Sequence, residues 1–430
     1  MPNQKPRQTT PSSEEFTVEL TGMAHGGRAL GRHDGRTLFI PYTIPGEVVR
    51  ARITQDRGRI AFAEGVTLED ASADRVYPRC PHFGPHRCGR CQWQHIAYEA
   101  QLLLKQDVMN DQLGRIGGFS DEVIEAAVQP VIPSPVEWGY NHIMTMHILD
   151  DGKLAMPAEY GNPDFPFEVC FIIHPILLEL SEQLDFEAAT ARTLQLRLGT
   201  DEQHMVILSI DDEAAAPELL LDLPTSVNLL LPSHEPVNLV GDLYNRFEIG
   251  QQAFRVSAGS FFRGNPYLLQ TLADVVLHLA GITAQDEVLD LYGGVGFFSA
   301  FAAPLAKHIT LVDSYPPAVF DARLNLEAFE NVEIIDGTVE DVLPELPPHT
   351  ICIVDPSAEG LSIPAMDALI AHRPAKIVYV SSDPAILARD AKRITSQHYE
   401  LIHVQPLDLS PQTYYIDAVA LFIAKGFDLS

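Results

Sequence analysis

Long apolar runs are missing from this sequence, and so are the features of an export signal. No apolar stretch approaches the roughly 18 residues needed to cross a bilayer, and the first 15 residues lack the apolar core of a signal peptide. We therefore expect a cytoplasmic protein with no membrane partner. The chain has 430 residues, of which 46% are hydrophobic. This length is enough for roughly two to four domains.

Basic residues are also scarce. Lysine and arginine number 29 against 58 acidic residues, which gives a net charge of −29. Such an excess of acid argues against a nucleic-acid partner, but the charge is unevenly distributed. Residues 1–91 contain 13 basic and 10 acidic residues, whereas the remainder contains 16 and 48. If the protein binds RNA, its amino-terminal part is expected to make most of the phosphate contacts.

Only five cysteines are present, and three of them lie in the segment CPHFGPHRCGRC. Cys80, Cys88 and Cys91 have the spacing Cys-x7-Cys-x2-Cys, and Cys170 follows much later. In a cytosolic protein, clustered thiols indicate metal ligands rather than disulfides. Four thiolates suit either zinc or an iron–sulfur cluster, and the spacing leaves both open. Cys352, inside an apolar run, is expected to be an inert buried thiol.

Three sequence patterns predict the architecture. Residues 14–72 alternate short apolar runs with Gly, Asp and Pro turns, which predicts a small β-barrel. Residues 93–117 have apolar positions at helical spacing and predict an amphipathic helix. From about residue 284, strands alternate with helices, which predicts an α/β unit with a parallel, doubly wound sheet. The late run YYIDAVALFIA is expected to add an edge strand to it.

A glycine-rich turn follows the first strand of that predicted sheet. Gly293, Gly294 and Gly296 let the backbone turn tightly beside a ligand, and Asp313 ends the next strand, where an acid can hold ribose hydroxyls. NAD and S-adenosylmethionine sites share this arrangement. Ser299 stands where a dinucleotide site favours a third glycine or alanine, so the pattern favours S-adenosylmethionine.

The loop VSSDPA places Ser382 at the carboxyl end of another predicted strand, which is the edge where open α/β sheets hold ligands. Asp383 and Pro384 predict the start of the following helix. Ser382 is therefore either a reacting hydroxyl or a side chain that satisfies the backbone of the turn.

Taken together, these segments resemble the RNA uracil-C5 methyltransferase family of the TrmA and RlmD type, from about residue 14 to residue 427. The barrel with its PGEVVRARI run is similar to the family's TRAM domain. The run CPHFG…CGRCQWQHIAYEAQLLLK, with Cys170, is similar to its four-cysteine 4Fe–4S site. The segments SFFRGN, LDLYGGVGFFS, VDPSAEG, YVSSDPAILARD and DLSPQTYYIDAV resemble its methyltransferase motifs in order.

The resemblance implies a disordered tail at 1–13, an OB-like TRAM barrel at 14–72, a central α+β iron–sulfur domain at 73–280, and a Rossmann-like class I methyltransferase domain at 281–430. It implies S-adenosylmethionine, a 4Fe–4S cluster on Cys80, Cys88, Cys91 and Cys170, and a monomer that binds structured rRNA or tRNA. The implied cofactor-binding residues are Arg263, Tyr292, Gly293, Gly294, Gly296, Phe297, Asp313, Thr338 and Asp355.

The resemblance also implies a changed catalytic site. In that family a cysteine thiolate attacks C6 of uracil, the methyl group is transferred to C5, and a carboxylate assists removal of the C5 proton. Here Ser382 stands at the nucleophile position and Asp417 at the position of the family's glutamate. Arg263, Ala358 and Tyr415 stand where the family has glutamine, arginine and histidine.

These replacements predict impaired uracil C5 methylation. A free cysteine has a pKa of about 8.5, whereas a serine hydroxyl is far less acidic and needs an adjacent base. The local motif contains no histidine. The alternatives are an active RNA methyltransferase whose chemistry differs from thiolate addition or tolerates these replacements, an RNA-binding pseudoenzyme that keeps the TRAM barrel, the iron–sulfur cluster and the cofactor pocket, and a methyltransferase with another acceptor. If the chain is a pseudoenzyme, Ser382 is expected to cap or pack its turn.

Overall fold

The structure is a computed structural model and describes residues 14–157, 164–166, 168–184, 191–212 and 224–427. The tail predicted at 1–13 lies outside these residues. Among the described helices, none is long and apolar enough to cross a membrane.

A closed five-stranded barrel forms the amino-terminal unit, as the alternating pattern predicts. Its strand order is β1-β2-β3-β5-β4. In β1, alternate residues such as Val18 and Leu20 are buried in the barrel interior, which is the period-2 pattern of a half-buried strand. The strands are β1 (Glu15–Met23), β2 (Ala29–His33), β3 (Arg36–Ile40), β4 (Val48–Asp56) and β5 (Ile60–Asp70).

The helix predicted at 93–117 begins five residues later than expected. Helix α1 (Tyr98–Gln112) continues into a π-helical turn (Leu113–Gly117) and ends at Gly118, which adopts a left-handed φ of 74°. The preceding residues are held outside the helix because Trp93 is fully buried and its indole N–H donates to the Gly27 carbonyl of the barrel, at 3.2 Å. Helix α2 (Asp121–Ala127) follows.

A seven-stranded sheet occupies the middle of the chain, in the order β12-β11-β10-β9-β6-β7-β8. The runs EWGYNHIMTMHIL, ARTLQLRLG and HMVILSI contain β6, β9 and β10. The elements are β6 (Ile143–Ile148), β7 (Leu154–Met156), β8 (Phe165–Pro166), α3 (Pro175–Glu182), β9 (Ala191–Leu198), β10 (His204–Ile210), β11 (Ser226–Leu230) and β12 (Pro236–Val240). A hairpin of β13 (Tyr244–Ile249) and β14 (Gln252–Ser257) and helix α4 (Leu269–Ala280) lead into the last unit.

The carboxyl-terminal unit is the predicted α/β sheet, in the order β17-β16-β15-β18-β19-β21-β20. Neighbouring strands from β17 to β19 are parallel, and β21 is antiparallel to both of its neighbours. Its elements are β15 (Glu287–Leu291), α5 (Phe297–Ala302), β16 (His308–Asp313), α6 (Pro316–Asn325), β17 (Val332–Asp336), α7 (Val339–Val342), β18 (Ile351–Val354), α8 (Ile363–His372), β19 (Lys376–Ser381), α9 (Pro384–Thr395), β20 (Tyr399–Leu407) and β21 (Asp417–Ala424).

The prediction that the last strand lies at the sheet edge is wrong. β21 lies between β19 and β20, and seven of its eight residues are buried. A strand with no polar face is stable only inside a sheet that is covered on both sides.

Apolar packing joins segments that lie far apart along the chain. Helix α1 shares a continuous apolar core with the barrel and with α9 and the carboxyl-terminal sheet. The β13–β14 hairpin and α4 pack on the other face of that sheet. Segments on both sides of the central sheet therefore belong, by packing, to the carboxyl-terminal unit.

Candidate functional site

A cavity of about 470 Å³ opens at the carboxyl ends of β15, β16, β18 and β19. Its volume lies in the usual range for a small-molecule site. Nine of the predicted site residues line it: Arg263, Tyr292, Gly293, Gly294, Phe297, Asp313, Asp355, Ser382 and Asp417. Two of the predicted cofactor-binding residues lie outside this lining. Gly296 is the N-cap of α5, and the Thr338 hydroxyl donates to Asp341 at 2.8 Å.

The glycine turn is fixed by close contacts on one side and is open on the other. A Cβ atom at Gly293 would lie 2.4 Å from the Leu311 side chain, whereas one at Gly294 would meet no atom within 4 Å. Asp313 ties the turn to the end of β16, because its carboxylate accepts hydrogen bonds from the Gly294 and Tyr315 amides, each at 2.9 Å. Burial raises the pKa of Asp313 although these amides oppose the shift.

Asp290 lies beneath the turn and is completely buried in β15. One of its carboxylate oxygens accepts hydrogen bonds from the Ser299 amide and hydroxyl, at 3.1 and 2.6 Å, while the other, Oδ1, has no partner among the described residues. Burial raises the pKa of Asp290 to about 7.

Arg263 lies between two carboxylates of the cavity. Its guanidinium donates to both oxygens of Asp355, at 2.8 and 2.7 Å, and its Nε lies 3.8 Å from Asp417. Burial raises the pKa of Asp417 to about 6, and the nearby Arg263 limits that rise. A carboxylate with such a pKa can exchange a proton near neutral pH.

Ser382 is exposed in the cavity wall, and its hydroxyl has no hydrogen-bond partner among the described residues. The expectation that it caps or packs the turn is wrong, because its neighbours perform those tasks. Asp383 caps α9 by accepting hydrogen bonds from the amides of Ala385 and Ile386. Ser381 is buried and donates its hydroxyl hydrogen to the Asp383 carbonyl at 3.0 Å.

A histidine does reach this loop, but from the barrel. His25 Nε2 lies 3.2 Å from the Asp383 carboxylate. Although burial opposes it, the hydrogen bond from His25 helps to lower the pKa of Asp383. Nothing in the local sequence predicts a contact between residues so far apart.

Sequence reasoning also missed four further aromatic residues of the lining. Phe261, Phe262, Phe298 and Tyr315 line the cavity, and Phe261 is 73% exposed. The Phe–Phe pairs at 261–262, beside Arg263, and at 297–298 are the signal that was available in the sequence.

A buried ion pair positions the loop that leads to Asp417. Lys105 of α1 and Asp408 are both fully buried, with Nζ 2.6 Å from Oδ1. The same ammonium donates to the carbonyls of Ser410 and Tyr415. Helix α1 therefore fixes the backbone just before β21.

The four clustered cysteines meet in three dimensions. Cys80, Cys88, Cys91 and Cys170 line one small cavity next to the central sheet. Burial raises the pKa of the Cys88 thiol to about 11, and that of Cys91 is raised as well. Within the described residues, no three His, Cys, Asp or Glu side chains are grouped as a site for a metal ion. Cys352 is completely buried in β18, as predicted.

A sheet of this order, with a glycine turn and an acid at its centre, defines the class of α/β proteins that bind a nucleotide-like cofactor at their strand ends. Comparison with known proteins narrows this class. Residues 13–66 match the TRAM domain. An RNA methyltransferase of Streptomyces avermitilis, named as uncharacterized, is 33% identical over 431 residues, covering 96% of this chain and 99% of its own.

A similarly named RNA methyltransferase of Halalkalibacterium halodurans is 30% identical, covering 98% of this chain and all of its own. The chain therefore belongs to the family of TRAM-domain RNA methyltransferases. Among solved structures, the Pyrococcus abyssi tRNA (uracil-54, C5)-methyltransferase in complex with S-adenosyl-L-homocysteine superposes with a TM-score of 0.70. It is 22% identical and covers 95% of this chain and 100% of its own, so it supports the fold.

Proposed function

We propose that this chain binds S-adenosylmethionine and RNA but does not methylate uracil at C5 by covalent catalysis. The observation that carries the proposal is the state of Ser382. Its hydroxyl is exposed in the cavity and hydrogen-bonds to no base in the described residues. Attack on C6 of uracil needs an anionic nucleophile, and an unassisted serine is not one at neutral pH.

The cavity suits the cofactor. Its volume is about 470 Å³, and the acid Asp313 stands beside an open glycine turn that a nucleoside could approach closely. S-adenosylmethionine supplies an electrophilic methyl group when bound. In this arrangement Asp313 would hold the ribose hydroxyls, and the aromatic side chains Phe261 and Phe297 would exclude water from the adjoining wall.

A second candidate function is methylation of a nitrogen or oxygen atom of RNA. Such an atom attacks the methyl group with its own lone pair, so no enzyme nucleophile is required, and a base that removes a proton is sufficient. Asp417 favours this candidate, because it lines the cavity and its pKa is raised to about 6.

One experiment distinguishes these functions. The purified protein is incubated with tritium-labelled S-adenosylmethionine and unmodified rRNA and tRNA transcripts, and the digested nucleosides are separated. We expect no 5-methyluridine from the wild type or from the matched variant S382A. Stoichiometric 5-methyluridine would overturn the proposal, and another methylated nucleoside would establish the second candidate. Calorimetry tests the cofactor separately: we expect binding by the wild type and loss of binding in D313N.

We further propose that the four clustered cysteines hold a 4Fe–4S cluster. All four cysteines line one cavity, and four cysteine thiolates are the usual ligand set of such a cluster. We expect about four iron and four sulfide per chain after anaerobic purification. C91S should lose them and C352S should retain them, because Cys352 lies in β18. Stoichiometric zinc without iron would contradict this assignment.

A further inference from the structure

A second large groove lies at the opposite end of the carboxyl-terminal sheet from the cofactor cavity. We call it the basic groove, and its basic lining residues are Arg373, Arg393, His398 and Lys425. Its volume is about 660 Å³, and Asp367 is its acidic lining residue. None of these side chains belongs to the site described above.

The strand register fixes the position of the basic groove. Arg373 lies just before the amino end of β19, and His398 directly precedes β20. Lys425 follows β21, which runs antiparallel to both, so that Ile423 pairs with Lys376. Ser382 and Asp355, in contrast, follow the carboxyl ends of their strands. With six residues in β19, the two sites are about 20 Å apart along the strand direction.

Cations are rare in this part of the chain. Residues 281–430 contain 8 lysines and arginines and 21 acidic residues. Several of the cations are engaged elsewhere: Lys307 donates to Glu287, and Lys376 donates to the Ala280 carbonyl. The side chains of Arg373 and Lys425 make no hydrogen bond or ion pair with the described residues, whereas Arg393 lies 3.7 Å from Asp390. Three of the eight cations thus line one groove.

The backbone conformation of two residues also supports a binding role for the basic groove. Arg373 has a φ of 55° and His398 a φ of 73°, both in the left-handed region that favours glycine. Arg373 occupies the position after α8 where helices commonly end in glycine. Two residues are therefore held in a costly conformation, and both direct a basic side chain to the same groove without using it to bond the protein.

We infer that the basic groove binds a backbone phosphate of the RNA substrate, about 20 Å from the target nucleotide. The inference rests on the proposed RNA binding and adds a second contact to it. Guanidinium groups recognise phosphate oxygens through paired, charge-assisted hydrogen bonds, and Lys425 adds a point charge. Because the two sites lie at opposite ends of the sheet, one RNA must span at least about 20 Å to contact both.

The test uses the left-handed backbone conformation of Arg373 and His398. R373G and H398G remove a basic side chain and also relieve the left-handed conformation, so the melting temperature should stay equal to that of the wild type or rise by about 1 to 3 °C. Affinity for folded tRNA and rRNA transcripts should fall roughly three- to tenfold in R373G. Affinity should also depend less steeply on salt: the magnitude of the slope of log affinity against log salt should decrease by about 0.7 to 0.9 for each phosphate that the variant no longer binds.

The matched control is K307A, which removes an exposed cation of the same unit outside the groove and should leave RNA affinity unchanged. Calorimetric binding of S-adenosylmethionine should be the same in all variants. If R373G, H398G and K425A bind RNA with the affinity and salt slope of the wild type, the basic groove is not an RNA contact, although RNA binding itself stands. If the wild type binds neither the tRNA transcript nor the rRNA transcript, both the proposed function and this inference fail.

Discussion

Arg263 and Asp355 form a two-pronged ion pair inside the cavity, with guanidinium–carboxylate distances of 2.8 and 2.7 Å. Both side chains are largely buried, and an Asp417 oxygen lies 3.8 Å from Nε of the same guanidinium. A neutral glutamine, which the resemblance expects at position 263, could not balance two carboxylates. Arginine at position 263 therefore gives the site a positive charge that glutamine would not supply.

We expect R263Q to destabilise the fold by about 3 kcal/mol, because removal of one member of a buried ion pair leaves the other charge uncompensated. Urea unfolding measures this loss. The double variant R263Q/D355N should recover part of it, since it removes the orphaned charge as well. If the loss of stability in R263Q/D355N equals the sum of the losses in R263Q and in D355N, the two side chains are not coupled in the folded protein.

S382C is expected to add one fast-reacting thiol. Position 382 is exposed, so its thiol should titrate near the free value of about 8.5 and react readily with a disulfide reagent. S381C is the matched control, because position 381 is buried one residue earlier, and its thiol should react about tenfold more slowly or less. Equal rates at the two positions would contradict the described orientation of the loop.

Asp290 should make the protein lose stability as the pH rises. Its pKa is raised in the folded state to about 7, so the folded chain keeps a proton that the unfolded chain releases near pH 4. The stability contributed by this proton is full below about pH 4 and is lost as the pH rises through 7. D290N removes the titration. The difference in unfolding free energy between D290N and the wild type should therefore change by about 2 to 3 kcal/mol between pH 5 and 8, in favour of D290N at the higher pH. A difference that does not change with pH would refute the role of burial at this carboxylate.

Removal of His25 should loosen the Ser382 loop with little effect on overall stability. The His25–Asp383 contact is partly exposed, so H25A should cost about 0.5 kcal/mol. Hydrogen exchange of residues 381–386 should increase because the barrel no longer holds the Asp383 carboxylate. H33A, at a barrel histidine whose partner is the neighbouring Asp34, is the control and should leave exchange in that segment unchanged.

Local patterns in the sequence were sufficient to predict the helices and strands and most of the residues that line the cavity. The strand and helix alternation after residue 284, the glycine turn and Asp313 were all predictable, because strand ends and turns depend on adjacent residues. The late start of α1 and the internal position of β21 were not, because each depends on burial against distant segments. The His25–Asp383 and Lys105–Asp408 contacts join residues hundreds of positions apart. Patterns of residue spacing predict only contacts between residues that are close in the sequence.

Trp93 lies where the barrel, α1 and the carboxyl-terminal sheet share a single apolar core. The barrel and the carboxyl-terminal unit should therefore unfold together, and deletion of the barrel would expose the inner wall of the carboxyl-terminal unit to water. The side chains that line the cavity, such as those at positions 263, 382 and 417, can be changed one at a time without disturbing this shared core. The barrel cannot be removed without rebuilding the protein's interior.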